Sequence, residues 1–291
     1  MSLLKVPVES LFATLFPGEC RICREPLLNI SRLPVCLACL QNMPAFHSAQ
    51  CSICGELLVA SNFAGQAQGE QLCSLCQRFR PSYVRAAAYA PYEGVLRDLI
   101  HLLKYQRVRS AAKALGLKLA EVLRSIVPEA SAEGGVGPGG EVIVVTVPLF
   151  KAKQNDRGFN QAQSVAAYAV RALKPQFDLV FEPEVLRRKR ATVSQTGLTR
   201  HQRRENVRGA FAVNPTLRRF IAERNLILVD DVFTTGTTAE ECSRVLLRAG
   251  AANVWVATIA RVSKLEAISL LQHQIQQEEA IAAAAGNPAR A

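Results

Sequence analysis

A short segment near the C-terminal end of the chain constrains the fold more than any other part of the sequence. Residues 226–229 form an aliphatic run, Asp230 and Asp231 follow directly, and a threonine- and glycine-rich loop comes next. Such a run is typical of a strand buried in a parallel sheet, and residues 239–248, before Gly250, predict a helix. A loop between a parallel strand and a helix lies at the carboxyl edge of the sheet, where the first helical N–H groups attract an anion. We therefore expect an α/β fold with an anion site in this loop.

The residue types in this segment indicate which anion it could bind. Gly236 can adopt a positive φ and lets the backbone approach a phosphate closely. Asp230 and Asp231 suit the two neighbouring hydroxyls of a ribose, and could attract Mg2+ held by the ligand's own phosphates. Hydroxyls beside the backbone amides belong to Thr234, Thr235, Thr237 and Thr238.

The segment differs from two common nucleotide-binding motifs, the P-loop Gly-x-x-x-x-Gly-Lys-Ser/Thr and the dinucleotide motif Gly-x-Gly-x-x-Gly. The alternative interpretation is an ordinary strand, turn and helix with a solvated acidic turn. Paired carboxylates at the end of a buried strand are costly unless a cation or polar group uses them, which favours a ligand site.

Eight of the nine cysteines form four Cys-x-x-Cys pairs. A two-residue gap lets both thiolates of a pair bind one tetrahedral Zn2+, and two pairs complete a four-thiolate site. The sequence therefore predicts two structural zinc ions. Sequential pairing is favoured because it encloses short loops, and interleaved pairing stays open. The competing redox motif of the thioredoxin type would occur once rather than four times. The predicted ligands are Cys20, Cys23, Cys36, Cys39, Cys51, Cys54, Cys73 and Cys76.

Two residues near these motifs have simpler interpretations. Glu56, which follows the third cysteine pair, carries no obvious chemistry. The ninth cysteine, Cys242, lies in the predicted helix after the aspartates and is expected to be a small buried residue.

The chain of 291 residues carries a formal charge of +11, and the excess is concentrated between residues 187 and 219. A basic cluster favours an anionic ligand or nucleic acid, although a solvated basic face explains it equally well. Aromatic residues, 6% of the chain, do not interleave these arginines in the way that a base-stacking platform needs, which favours contact with phosphate over stacking on bases.

The sequence also predicts a cytoplasmic protein without membrane insertion. No stretch is long and apolar enough to span a bilayer, and the first residues lack the features of a secretory signal. Structural disulfides are disfavoured in a reducing compartment, so metal binding is the expected role of the paired cysteines.

The middle of the chain predicts a second unit of strand, anion loop and helix. We expect strands at 83–92 and 141–150, helices at 93–104 and 111–126, and an irregular Gly/Pro-rich connection at 128–140. Lys153, Arg157 and Gly158 precede a helix that extends to residue 172, and they could offset the charge of a pyrophosphate. Two such units in one parallel sheet would place both loops along the same edge. The alternative is that residues 157–161 simply start a helix.

The segment between these two units is polar and basic, at residues 186–195 and 198–211. We expect it to form a lid. A lid of this type can exclude water from a reactive intermediate at the edge of the sheet. The candidate lid cations are Arg188, Arg190 and Arg203, and the candidate polar contacts are Thr192 and Gln195.

An ordered set of motifs extends over nearly the whole chain. It comprises the four cysteine pairs, Phe16-Pro17, Tyr92-x-Gly94, Leu103-Lys104-Tyr105, Val147-Pro148-Leu149, residues 157–161, Gly209-Ala210-Phe211 and residues 230–236. Taken together, these motifs resemble the ComF family of competence proteins. This family joins a double zinc ribbon to a type I phosphoribosyltransferase domain, and the Asp-Asp-Val-Phe-Thr-Thr-Gly loop resembles the phosphoribosyl pyrophosphate (PRPP) signature of such domains.

The resemblance implies PRPP binding by Asp230, Asp231 and residues 234–238, with pyrophosphate near residues 153–158. It also implies catalytic roles for the two aspartates, with Arg188 and Arg203 as charge-stabilising groups. Lys153 stands where an arginine is expected in the family, a change that keeps the charge but loses the bidentate fork. Lys104 and Tyr105 belong to a further motif that we expect near the site.

These interpretations predict a double zinc ribbon at residues 1–80, a phosphoribosyltransferase domain with a parallel sheet flanked by helices at 81–262, and a helical or disordered tail at 263–291. The predicted function is Mg2+-dependent transfer of a phosphoribosyl group from PRPP to an acceptor, with release of pyrophosphate, in a protein linked to competence and DNA uptake. The alternative is a non-catalytic DNA-uptake or assembly factor that binds single-stranded DNA or a competence-machinery protein and has a regulatory PRPP site.

Overall fold

The strands of the chain form one large and one small sheet. A computed structural model describes residues 18–27, 32–44, 46, 49–58, 70–132, 141–150, 158–192 and 198–262. The strands are β1 (Ala86–Pro91), β2 (Val142–Thr146), β3 (Leu179–Phe181), β4 (Leu186–Arg188), β5 (Phe211–Val213), β6 (Asn225–Phe233) and β7 (Asn253–Arg261). Five of them form a parallel sheet in the order β1-β7-β6-β2-β3, while β4 and β5 form a separate antiparallel pair.

Helices cover both faces of the parallel sheet. They are α1 (Leu37–Gln41), α2 (Ser74–Arg78), α3 (Gly94–Tyr105), α4 (Ala111–Ala132), α5 (Gln161–Leu173), α6 (Arg200–Val207) and α7 (Thr237–Arg248). In β6, Ile227 and Val229 pack with α3, α4 and α5, whereas Leu226 and Leu228 pack on the other face with α6 and α7. Because successive side chains of a strand point to opposite faces, a strand covered on both sides must be apolar throughout. The predicted α/β fold, a parallel sheet flanked by helices, is confirmed.

Helix α4 is longer than predicted. The sequence predicted a helix end at residue 126 and an irregular connection from Pro128, but the helix continues through Pro128 to Ala132. A proline inside a helix removes one backbone hydrogen bond, so this turn needs other contacts. The indole N–H of Trp255 donates to Glu129 at 3.0 Å, and the side-chain amide of Asn225 donates to the Ala130 carbonyl at 2.8 Å. Residues 133–140 of the predicted connection lie outside the described residues.

Strand β6 also differs from its predicted extent. Asp230 and Asp231 were expected in the loop, but β6 continues to Phe233 and includes both. The strand extends because its backbone pairing with β7 continues at Asp230 opposite Thr258 and at Val232 opposite Ala260. By contrast, β1 and β2 are shorter than predicted, and α3 and α7 begin and end within two residues of their predicted bounds.

The two cysteine-rich segments pack on opposite faces of the sheet. Cys20 and Cys39 join the apolar cluster that contains α3 and α4, whereas Cys51 and Cys73 join the cluster on the other face. The second segment also covers the edge of the sheet, since the Ile53 carbonyl accepts a hydrogen bond from the β1 backbone at 2.7 Å. The predicted domain boundaries at residues 80 and 262 stay predictions. No helix in the described part of the chain has the length and apolarity to cross a bilayer.

Gly116 marks a close crossing of α4 and α5. A Cβ atom at this position would lie 2.5 Å from the Tyr168 Cβ atom and 3.0 Å from the Val165 carbonyl oxygen. Neither atom is the end of a flexible side chain, so the two helices would have to separate to admit a methyl group.

We therefore expect Gly116→Ala to lower the free energy of unfolding by about 1–3 kcal/mol through overpacking. Helix propensity alone predicts the opposite sign, a gain of about 1 kcal/mol. Urea denaturation followed by circular dichroism measures the difference. Lys113→Ala, on the exposed face of the same helix, should change the free energy by less than about 0.5 kcal/mol. A Gly116→Ala protein at least as stable as the parent would contradict the close crossing.

Candidate ligand site at the carboxyl edge of the sheet

The two aspartates at the end of β6 lie in a half-buried, charged environment. One oxygen of Asp230 accepts a hydrogen bond from the backbone N–H of Asp231 at 2.9 Å. A carboxylate oxygen of Asp231 lies 2.7 Å from the ammonium of Lys104, which belongs to the last turn of α3. Both side chains of this ion pair are less than one-fifth exposed, so dissolved salt weakens their attraction little.

Burial and neighbouring charges change the protonation of this group of residues. Burial, together with the Asp231 charge, raises the pKa of Asp230 to about 7, although Lys104 and Arg188 partly oppose the rise. Burial alone would lower the pKa of Lys104, but the Asp231 carboxylate outweighs it and the pKa is raised. Lys104 is therefore a protonated cation in the same cluster as Asp230, the carboxyl group whose pKa is raised.

The loop after β6 requires glycine at position 236 for two reasons. Gly236 has φ of 75° and is the N-cap of α7. A Cβ atom there would lie 2.7 Å from the Phe233 ring and 3.4 Å from the Tyr83 hydroxyl oxygen. Next to it, the hydroxyl oxygens of Thr235 and Thr237 lie 3.1 Å apart. The loop thus presents backbone and hydroxyl groups at the start of a helix.

The start of α7 differs from the starts of α5 and α6. The Asn160 side chain caps α5 by accepting from the backbone N–H of Gln163, and Thr199 forms a capping box at α6. Gly236 has no side chain with which to cap α7. The first amides of α7 can therefore interact with an anion, as the helix dipole favours.

The second predicted anion loop is only partly described. Lys153 and Arg157 lie outside the described residues. Gly158 has φ of 76°, and its carbonyl accepts from the Arg109 guanidinium at 3.4 Å. The buried Asn160 caps α5, a helix start that both interpretations of residues 157–161 include. Since β2 and β6 are adjacent and parallel, the loops that follow them leave the same edge of the sheet.

The predicted lid residues take different positions. Arg188, in β4, stacks over the Phe211 ring at 5.3 Å and donates to the Thr192 hydroxyl. Its charge is close enough to lower the pKa of Asp230. Arg203 donates to the Leu198 carbonyl at 2.9 Å and forms no ion pair with either aspartate.

The outer lid positions are less closely connected with the site. Arg190 donates to the Arg208 carbonyl at 2.7 Å. Gln195 lies outside the described residues. Of the three predicted lid cations, the structure thus brings Arg188 near the aspartates.

The eight paired cysteines form two groups, each of sequential pairs. The first group is Cys20, Cys23, Cys36 and Cys39, the second is Cys51, Cys54, Cys73 and Cys76, and the sulfurs of each group lie within 4.8 Å of one another. Nearest sulfurs are 3.6–3.9 Å apart in the first group, and one pair in the second is 3.7 Å apart. A tetrahedral zinc ion with bonds of about 2.3 Å requires sulfurs about 3.8 Å apart. Each group could hold a zinc ion, and the grouping is the one favoured from sequence.

Sequence reasoning missed the contacts of Lys104, Glu56 and Arg261, but it anticipated the burial of Cys242. Lys104 was noted only as part of a motif, and its ion pair with Asp231 joins residues far apart in the chain. Glu56 was given no role, but it is buried and pairs with the buried Arg261 at 2.7 Å. The lone Cys242 is fully buried in α7, as expected.

The raised pKa of Asp230 predicts how stability depends on pH. Between about pH 4 and 7, the folded protein retains a proton that an unfolded aspartate has lost. The free energy of unfolding should therefore fall as pH rises through this window, by at most about 1.4 kcal/mol per pH unit. Asp230→Asn should remove this contribution, so the variant gains stability relative to the parent between pH 5 and pH 8. Urea denaturation at both pH values measures it, and an unchanged difference would contradict the shift.

Comparisons with known proteins identify relatives over most of the chain. No family model matches. The DNA utilization protein YhgH of Escherichia coli O157:H7 is 32% identical over 246 residues, which cover 84% of this chain and 97% of that protein. Competence protein F of Haemophilus influenzae is 28% identical over 238 residues, which cover 78% and 96% of the two chains.

A solved structure of the allosteric regulatory enzyme of purine biosynthesis is 18% identical, covers 56% of this chain and 37% of that one, and has a TM-score of 0.30. This likeness is too slight to support an argument. The YhgH match, in contrast, spans nearly the whole of the relative and most of this chain. The chain belongs to the ComF family, together with the YhgH DNA utilization proteins and competence protein F.

Proposed function

We propose that this protein binds PRPP with Mg2+ at the carboxyl edge of its sheet and transfers the phosphoribosyl group to an acceptor, releasing pyrophosphate. The observation that carries the proposal is the arrangement around β6. Asp230 and Asp231 lie near the end of the central strand, and Gly236 is the N-cap of a helix whose first amides it cannot cap with a side chain. The sequence of this loop matches the PRPP signature, so geometry and motif support the same ligand.

In this proposal each part of the loop contacts a different part of PRPP. The carboxylates of Asp230 and Asp231 accept hydrogen bonds from the two ribose hydroxyls, because ionised carboxylates are strong acceptors. Backbone amides and hydroxyls of residues 234–238 bind the 5′-phosphate at the start of α7. Mg2+, held by the same aspartates and by the phosphates of PRPP, would neutralise charge on the pyrophosphate.

The chemical step breaks the bond between the anomeric carbon and the pyrophosphate oxygen. The electron pair leaves with the pyrophosphate, the ribose gains oxocarbenium character, and the acceptor donates a new electron pair to the anomeric carbon. Cations placed where negative charge develops stabilise such a transition state. Lys153, Arg157 and Gly158 are the proposed pyrophosphate contacts, and Arg188 and Arg203 are the proposed cations of the covering segment.

The cysteine groups have a structural role in this proposal. Two zinc ions, one in each group, would hold loops too short to form apolar cores of their own. A site with four thiolate ligands has no open position for a substrate or a catalytic water. The proposed chemistry therefore belongs to the edge of the sheet.

Calorimetric titration of the zinc-loaded protein with PRPP and Mg2+ tests the binding site. Replacing both aspartates with asparagine should weaken binding at least about 100-fold, because two charge-assisted hydrogen bonds are lost. Asp178→Asn, the same substitution at an exposed position before β3, should leave the affinity unchanged. A folded parent that does not bind PRPP, or a double variant that binds as well as the parent, would refute the proposal.

A second candidate function, binding of single-stranded DNA, is favoured by exposed cations and by the names of the relatives. Exposed basic residues lie in and around β4 and α6, and they include Arg187, Lys189, Arg204 and Arg208. Such a surface suits a phosphate backbone, and the relatives are called DNA utilization and competence proteins. A protein of the competence machinery is the alternative partner for this surface.

Fluorescence anisotropy with labelled single-stranded DNA at several salt concentrations tests this second function. If three of these cations contact phosphates, Arg187→Ala/Lys189→Ala/Arg204→Ala should reduce the slope of log affinity against log salt by about 2. The matched control triple is Lys113→Ala/Arg171→Ala/Lys174→Ala. These exposed residues lie in α4 and at the C-terminal end of α5, and the control should keep the slope of the parent. Equal slopes for both triples would show that this surface does not bind the DNA backbone.

A further inference from the structure

Arg261, the last residue of β7, is a buried cation that joins the second cysteine group to the sheet. Only 5% of its surface is exposed. Its guanidinium donates to Glu56 at 2.7 Å and to the backbone carbonyl of Cys54, and it lies 3.8 Å from the Cys54 sulfur. A zinc site with four thiolates carries a net negative charge, since four thiolates outweigh one divalent cation. Arg261 therefore fits a metal-loaded second group electrostatically, and the sulfur spacing fits it geometrically.

The same guanidinium supports the loop of the proposed PRPP site. The guanidinium carbon of Arg261 lies over the face of the Phe233 ring, 4.6 Å from the ring centroid, in a cation–π contact. The rim of the ring is where a side chain on Gly236 would collide, at 2.7 Å. Phe233 thus lies between the buried cation and the glycine that begins α7, and the position of the ring limits the position of the loop.

A second connection joins the same two regions. Ser82, six residues after the last cysteine of the second group, donates its backbone N–H and its hydroxyl to the carboxylate of Glu240, both at 2.7 Å. Glu240 lies in the first turn of α7. Tyr83, the next residue, is buried and meets Phe233 edge to face at 6.3 Å. The segment after the second cysteine group therefore contacts both the first turn of α7 and Phe233.

The first cysteine group is anchored elsewhere, at the connection between α3 and α4. Arg21, next to Cys20, donates to Gln106 at 2.7 Å, and Ser110 donates to the Arg32 carbonyl at 2.6 Å. This group is also partly exposed, whereas all four cysteines of the second group are buried. The two groups thus contact different parts of the fold.

We infer that the second cysteine group and Arg261 position the loop of residues 233–240, so that the metal state of this group controls the shape of the anion site. Arg261 acts here as a positioning residue through Phe233. The consequence for PRPP rests on the proposed function, but the mechanical coupling does not. The first cysteine group lacks this role.

Hydrogen–deuterium exchange of the amides in residues 233–240 tests the coupling without any ligand. The double variant Arg261→Met/Glu56→Gln removes both buried charges and leaves neither one unpaired. We expect it to keep two zinc ions per chain by native mass spectrometry, and to exchange the loop amides about tenfold faster than the parent. The matched control Arg85→Met/Glu129→Gln removes an ion pair of 3.0 Å before β1 and should leave these amides unchanged. Unchanged exchange in the Arg261 variant would overturn the inference.

Two cysteine variants separate the roles of the two groups. Cys73→Ser/Cys76→Ser should speed exchange in residues 233–240, whereas Cys36→Ser/Cys39→Ser should leave them protected. If a cysteine variant unfolds, the Arg261 double variant still decides the inference. Faster loop exchange in both cysteine variants, or in neither, would refute the distinction between the groups.

Titration of the Arg261 double variant with PRPP and Mg2+ then tests whether the coupling changes the affinity for PRPP. We expect its dissociation constant to rise about tenfold relative to the parent, because a less ordered loop must be ordered on binding. If the parent itself fails to bind PRPP while the exchange result holds, the proposed function fails and the coupling stands. If PRPP binds both proteins equally, the second group does not control the site.

Discussion

The pairing of β6 with a parallel strand on each side is the interaction on which the rest of the structure depends. Its first half pairs with β2 and its whole length pairs with β7, and helices on both faces bury the side chains of residues 226–229. The pairing with β7 continues past the apolar run and holds the backbone of Asp230 and its neighbours in a fixed register. Two carboxylates are thereby placed on rigid backbone at one edge of the sheet, directly before the start of a helix.

That placement has an electrostatic cost that the structure offsets in different ways for the two aspartates. Asp231 has a direct partner in Lys104, whereas Asp230 has more distant cations and a raised pKa. A half-buried carboxyl group that titrates near neutral pH is more typical of a functional site than of a structural ion pair. In the proposed function, the hydroxyls of ribose and the accompanying Mg2+ add to the hydrogen bond that Asp230 already accepts from the Asp231 backbone.

Local patterns allowed much of the fold and of the site to be predicted. Neighbouring residues in the sequence are enough to identify the aliphatic run of β6, the four cysteine pairs and the glycine before α7. Pro128 was misread because the contacts that retain the last turn of α4 come from Asn225 and Trp255, far along the chain. Lys104, Glu56 and Arg261 were missed for the same reason, since each acts through a partner that no local pattern identifies.

A crystal structure of the zinc-loaded protein with PRPP and Mg2+ would show directly whether the loop after β6 binds the ligand. We expect the 5′-phosphate within hydrogen-bonding distance of the backbone amides of residues 235–238, with the ribose hydroxyls on Asp230 and Asp231. PRPP bound at the exposed arginines around β4 and α6, or a loop of residues 234–238 without ligand at saturating PRPP, would contradict it.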